Sequence, residues 1–309
     1  MSFIGIDIGG TKCAVVKGTK DGEILDKIRF ETTSCAETIE NIISAVEKMG
    51  ECKAIGISCG GPLDSEKGVI MSPPNLPGWD NIHITHMLEQ RFGVPVFLQN
   101  DADACALAEW QYGAGKGTKN MIFLTFGTDL GAGLIFNGAL YCGSSNCAGE
   151  VGHIRMSDHG PVGYGKEGSF EGFWSGSGIA QLGMSAARSM LQRGEKPSFC
   201  PSLDQLGSIT AKSIADCANR GEPDALKVYE QCGTMLGKGL AILIDVLNPQ
   251  RIVIGSIFAR CENLLRDSMQ SVIDAECISH AAKCCKVVAA ELGESIGDVA
   301  AISVAVNGE

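Results

Sequence analysis

The segment GIDIGGTK sets an acid, Asp7, inside an apolar strand and follows it with Gly9, Gly10, Thr11 and Lys12. A glycine turn at the end of a buried strand bares backbone N–H groups, and a threonine adds a hydroxyl. Together they form a nest for phosphate oxygens. A second turn of this kind, TFGTDLGAG, carries Gly127 and Thr128. Neither matches a Walker loop or a dinucleotide fingerprint, so each alone also reads as an ordinary hairpin turn. Two of them, one in each half of the chain, could hold one polyphosphate from both sides. Asp7 then has a use. Left unpaired in a core it would cost several kcal/mol, whereas beside phosphates it can hold Mg²⁺, directly or through water. Pairing with a nearby lysine, or capping the turn, is the alternative. Asn100-Asp101 closes a strand and opens a helix, which suits a rigidly held general base and equally suits an N-cap. In AGEVGH the i, i+3 spacing of Glu150 and His153 would suit metal ligands on a helix, but the glycines favour a loop or extended chain. Trp79 and Trp174 read equally as core residues and as stacking platforms.

The elements that must position these groups follow from periodicity. Phe3–Asp7, Lys12–Lys17 and Glu23–Phe30 read as strands, with a turn at Lys20-Asp21-Gly22. Ile39, Ile42, Ile43, Val46 and Met49 fall at helical spacing between a Ser34/Glu37 capping box and Gly50. A buried strand at Lys53–Ser58, a Gly/Pro-rich loop, a helix near Ile82–Phe92, a strand at Val94–Leu98 and a helix at Ala102–Tyr112 come next. Residues 113–120, GAGKGTKN, read as a linker. After it the opening pattern of strand, Gly-Thr turn, strand, tight turn and strand returns in MIFLTFGTDLGAGLIFNGALY. Helices fill Gly176 to Leu247, Arg251–Gly255 is a strand, and Glu294–Val306 is a closing helix. The expected division is 1–117 and 118–293, with the helix at about 294–309 packing back on the first domain.

The chain has 309 residues, is 45% hydrophobic and carries a net charge of −11. That charge argues against nucleic acid or an anionic membrane as partner. No apolar run approaches the ~20 residues needed to span a bilayer, and the amino terminus lacks the basic lead of a targeting segment. The 14 cysteines are scattered without a CxxC pair, which predicts reduced thiols and a cytoplasmic location.

Five segments in this order, DIGGTK at 7–12, PNLPGW at 74–79, QNDADACALAE at 99–109, AGEVGH at 148–153 and LNPQRIVIG at 247–255, resemble the ROK family of sugar kinases, glucokinase-like enzymes and related repressors. The resemblance covers nearly the whole chain. It implies two ribonuclease-H-like α/β domains of the actin-like, hexokinase-type ATPase fold, closing on sugar and ATP with Mg²⁺. It implies Asp101 as catalytic base and Asn100, Glu150, His153, Glu171, Asn75 and the Gly61 backbone as sugar contacts. Gly9, Gly10, Thr11, Lys12, Gly127 and Thr128 would hold phosphates, Gly255 would lie near the base, and a homodimer is expected. Where relatives have two glycines, this chain has Gly255-Ser256, and Gly131-Ala132-Gly133 stands in place of three glycines. The repressor branch carries a DNA-binding domain ahead of the first glycine turn, where here only six residues precede Asp7. A non-catalytic sugar sensor should have lost Asp101 or the phosphate turns. Many members bind zinc through the GxH histidine and three cysteines, but the matching segment VGYGKEGSFE, residues 162–171, has Val162, Tyr164 and Ser169 at the cysteine positions. No structural zinc is expected, and Val162, Tyr164 and Phe170 are expected to order the loop by packing.

Overall fold

The structure is a computed structural model that describes residues 1–127 and 130–308. Thr128, one of the expected phosphate contacts, lies outside the described residues. The chain forms two compact units, Met1–Phe123 with Gly133–Gly149 and Ala290–Glu309, and Leu124–Ala132 with Glu150–Ala289. The boundary therefore falls at Phe123/Leu124, and residues 133–149 belong to the first unit, where 118–293 was expected as one piece.

The first unit opens with β1 (Ser2–Ile8), β2 (Lys12–Thr19), β3 (Ile24–Glu31), α1 (Cys35–Met49) and β4 (Ile55–Cys59). A small hairpin, β5 (Leu63–Asp64) and β6 (Val69–Ile70), precedes α2 (Ile84–Phe92), β7 (Val96–Asn100) and α3 (Asp101–Tyr112). Its sheet has the order β3-β2-β1-β4-β7. The hairpin side is antiparallel, while β1, β4 and β7 run parallel, with Ile8, Cys59 and Asn100 in one row. Three strand ends therefore release their loops at the same edge of the sheet, the usual place for a ligand in an open α/β sheet. α1 starts as the pattern predicts, with Ser34 accepting the Glu37 N–H, and buries Ile39, Ile42 and Val46.

Residues 113–120 are not a linker. Ala114 and Thr118 are buried, and the Trp110 indole donates to the Thr118 carbonyl at 2.8 Å. Glu109, fully buried, accepts N–H bonds from Ala114 (2.8 Å), Glu291 (3.3 Å) and Leu292 (2.9 Å).

The second sheet repeats the order of the first. It contains β8 (Met121–Leu124), β9 (Ala132–Phe136), β10 (Ala139–Leu140) and, after the hairpin β11 (Val162–Gly163) and β12 (Lys166–Glu167), β13 (Arg251–Ile254) and β14 (Lys286–Ala289), arranged β10-β9-β8-β13-β14. Its helices are α4 (Phe170–Phe173), α5 (Gly176–Gln192), α6 (Ala211–Ala218), α7 (Pro223–Leu247), α8 (Ile257–Glu276) and α9 (Ser279–Cys284). The last helix, α10 (Ile296–Asn307), returns to the first unit and packs on β1, β4 and α3. Two glycines inside strands let it approach. A Cβ on Gly5 would lie 2.8 Å from Ala301 Cβ, and one on Gly56 only 2.3 Å from the Ala305 nitrogen. Every cysteine is a free thiol. No helix among the described residues is long and apolar enough to cross a membrane.

Candidate active site

In the first unit the expected residues gather at the shared edge of β1, β4 and β7. The turn after β1 is closed by Gly9 N–H donating to the Lys12 carbonyl at 3.1 Å, and Thr32 secures it by donating to the Gly9 carbonyl at 2.6 Å. Thr11 and Lys12 are exposed. Gly10 lies against the loop that carries Asn75, where a Cβ would stand 2.6 Å from the Asn75 carbonyl. The Asn75 amide lies over Gly60, with Nδ2 3.5 Å from a Cβ built there, and the Asn100 amide lies over Gly61 at 3.3 Å. Asn75, Gly61 and Asn100 thus form one polar cluster.

Asn100 is the N-cap of α3, its Oδ1 accepting from Ala102 N–H at 2.9 Å; Asp101 Oδ1 accepts from the same N–H at 2.8 Å. Asp101 is exposed. The cap ties both side chains to the first turn of α3. Asp7 is half-buried, and its carboxylate accepts no hydrogen bond among the described residues. Burial first, and then the neighbouring carboxylates of Asp101 and Asp298, push its pKa up to about 6, against weaker opposite pulls from Lys27 and Arg29. A Cβ on Gly297, at the start of α10, would lie 3.1 Å from Asp7 Oδ2. This seat at the first turn of the last helix was not legible in the sequence.

In the second unit, residues 151–153 form one turn of 3₁₀ helix, correcting the loop or extended chain expected for AGEVGH. Glu150, the N-cap of this turn, and His153, its last residue, are both exposed. Glu171 is 8% exposed and accepts the Leu130 N–H through Oε2 at 3.1 Å. The segment at 162–171 is not ordered by three packed side chains. Phe170 is buried, but Val162 is 45% and Tyr164 71% exposed. Ser169 is the buried one, capping α4 by accepting from Gly172 N–H at 3.1 Å. Trp79 and Trp174 are fully buried core residues.

Gly127 meets two helix starts. Its carbonyl accepts from Gly176 N–H, at the head of α5, at 3.0 Å, and the Phe126 carbonyl accepts from Ile257 N–H, at the head of α8, at 2.9 Å. Gly255 N–H donates to the Leu124 carbonyl at 2.9 Å. Helix N-termini beside a glycine turn favour anions. Ser256 holds a left-handed φ of 53°. No cluster of three or more His, Cys, Asp or Glu fit to hold a metal occurs among the described residues.

The chain is 31% identical to a glucokinase of Halalkalibacterium halodurans, over 96% of this chain and 92% of that one. It is 32% identical to a glucokinase of Streptomyces coelicolor, over 98% and 96%. A crystal structure of a ROK family glucokinase from Streptomyces griseus, in complex with glucose and AMPPNP, superposes with a TM-score of 0.78 at 29% identity and full coverage of both chains. The actin-like, hexokinase-type fold expected from the motifs is the fold found. The ROK family pattern itself matches residues 3–307, and the protein belongs to the ROK family.

Proposed function

We propose that the protein is an ATP-dependent sugar kinase that phosphorylates a hexose or hexose derivative at a terminal hydroxyl. The observation that carries this is the row of strand ends in the first unit, which puts a glycine-threonine turn, an amide cluster and an exposed, capped carboxylate along one edge. Phosphoryl transfer asks a protein for alignment, charge neutralisation and a proton acceptor, and that edge offers the groups for each. The glucokinase relatives support the same reading.

Asp101 takes the proton of the attacking hydroxyl, and its shared N–H bond with Asn100 holds it in place for that transfer. Asn100, Asn75 and the Gly61 backbone bond sugar hydroxyls, as do Glu150, His153 and Glu171. Amides and carboxylates suit this because each can donate to or accept from neighbouring ring hydroxyls. Gly9, Gly10, Thr11, Lys12, Gly127 and Thr128 hold phosphate oxygens, and Gly255 lies near the nucleotide base. Asp7 fits Mg²⁺, since a half-buried carboxylate with a raised pKa and no donor to satisfy it gains most from a hard cation. When bound, Mg²⁺ neutralises charge on the phosphates. The segment at 162–171 works without zinc, because Val162, Tyr164 and Ser169 supply no thiolate and His153 alone cannot close a four-ligand site. A homodimer in the cytoplasm that binds no nucleic acid completes the proposal, in keeping with the net charge of −11.

The test is a coupled assay with ATP, Mg²⁺ and a panel of hexoses, run beside Asp101→Asn. ATP-dependent phosphorylation of at least one sugar, lost in the variant, is the expected result. Binding of a sugar without any turnover would make the protein a sensor instead.

A further inference from the structure

We infer that Gln181 is a positioning residue for sugar binding. It fastens the β11–β12 hairpin, and the hairpin in turn sets His153 and Glu171. The inference rests on the reading of those two residues as sugar contacts.

Gln181 lies on α5, and its side-chain amide pairs with the main chain of Val162 in both directions. Val162 N–H donates to Oε1 at 2.9 Å, and Nε2 donates to the Val162 carbonyl at 2.9 Å. The amide thus acts as one more residue of strand beside β11, on the side away from β12, which pairs Val162 with Glu167 and Gly163 with Lys166. The hairpin so held touches both candidate side chains. Lys166 Nζ donates to the His153 carbonyl. At the tip, the Tyr164 ring stands edge-on to the His153 imidazole, centroids 5.2 Å apart and planes at 84°. At the base, Gly163 runs so close beneath Glu171 that a Cβ there would sit 2.8 Å from Glu171 Cβ.

Tyr164 makes the function of the tip visible. It holds φ 45° next to Gly165 at φ 74°, a two-residue left-handed turn in which a bulky side chain is strained. The residue is 71% exposed, so burial does not repay that strain. Its contact with His153 gives the tyrosine a role there. A mutual amide clasp is also a fastening that needs no metal, at a segment that has no thiolates.

Two variants test this. Gln181→Met keeps the volume and removes both hydrogen bonds. Tyr164→Gly removes the ring and suits the left-handed turn, so a purely structural role would leave its thermal midpoint equal to or above that of the unaltered protein and its sugar KM unmoved. The expected result is a sugar KM raised about tenfold in each, as misplaced contacts produce, with the KM for ATP unchanged. Imidazole ¹H–¹³C NMR reads the positioning without any sugar, and the His153 signal should move in both variants. A His153 signal that stays in place in Gln181→Met, or a KM for ATP that rises in parallel with that for sugar, overturns the inference. His153→Ala separates the underlying reading. If the signals move while that variant keeps the normal sugar KM, the hold of Gln181 on the hairpin stands and the sugar contact at His153 is what fails.

Discussion

In the first unit Asn100 and Asp101 are tied to main chain at a helix start, whereas in the second His153 is tied by side chains. Asn100 and Asp101 stand where β7 turns into α3, both anchored to one backbone N–H of a helix that is buried along its length. Glu150 and His153 stand on a single 3₁₀ turn, steadied by Lys166, Tyr164 and, through the hairpin, Gln181. Strand ends and helix caps tolerate little displacement, and side-chain ties can be rearranged at modest cost. The group proposed to take the reacting proton sits on the first kind of support, and His153, proposed as a sugar contact, sits on the second. Chemistry and selectivity should therefore respond to different substitutions.

The largest effect expected from breaking this division is at Asp101. Asp101→Asn keeps the cap to Ala102 and removes the proposed proton acceptor, so kcat should fall about a thousandfold while the sugar KM changes little. Sugar binding lost in proportion to turnover would contradict the separation. In the second unit, Glu171→Ala should act mainly on the sugar KM, raising it by about ten- to a hundredfold, since both the carboxylate and its bond to the Leu130 N–H are lost. Here a fall in kcat at unchanged KM is the adverse outcome.

Asp7 sharpens the comparison through pH. Its native pKa of about 6 exceeds the ordinary 3.8, so the native state prefers the protonated form and pays for ionisation. That cost is on the order of 3 kcal/mol and is fully present above the raised value. It shrinks as pH falls from about 6 and vanishes below the ordinary value of 3.8. Asp7→Asn should therefore be more stable than the unaltered protein at pH 8, less so at pH 5, and poorly active at either. Thermal midpoints across that range, taken without Mg²⁺ or nucleotide, give the answer; an advantage that grows towards acid would mean the sign is wrong. The smallest effect is at Ser256, whose left-handed backbone costs about 1 kcal/mol. Ser256→Gly should recover most of that in urea unfolding and leave kcat near normal, and a loss of stability would show that the hydroxyl compensates for the strain.

Where side chains repeat at a fixed period, the sequence was readable. The β1–turn–β2 pattern and its return at β8–β9, the Ser34 cap and the Asn100-Asp101 junction were all legible, because they are local. What depended on distant partners was not. Gly5 and Gly56 look like weak strand residues until α10 is laid across them. Residues 113–120 look like a linker because the group that orders them, Glu109, is an acid inside an alanine-rich helix face; a charge there was the available signal. Val162 and Tyr164 were expected to pack because they are apolar and aromatic, yet Val162 is held through its backbone by an amide 19 residues away. Hydrogen bonds from side chain to main chain carry no periodicity.

The seat of α10 also has a consequence in time. β1 and β4 emerge early in synthesis, and the helix that covers them emerges only after β14, with Val299, Ile302 and Val304 buried at 5%, 0% and 2%. At about 5–20 residues per second, roughly 12–50 s separate the two events. During that interval an apolar groove floored by two glycines faces water on the nascent chain, and the edge carrying Asp7 lacks the helix start beside it. The edge carrying Asp7 is therefore incomplete until α10 has been made, and the unfinished chain offers chaperones a defined place to bind.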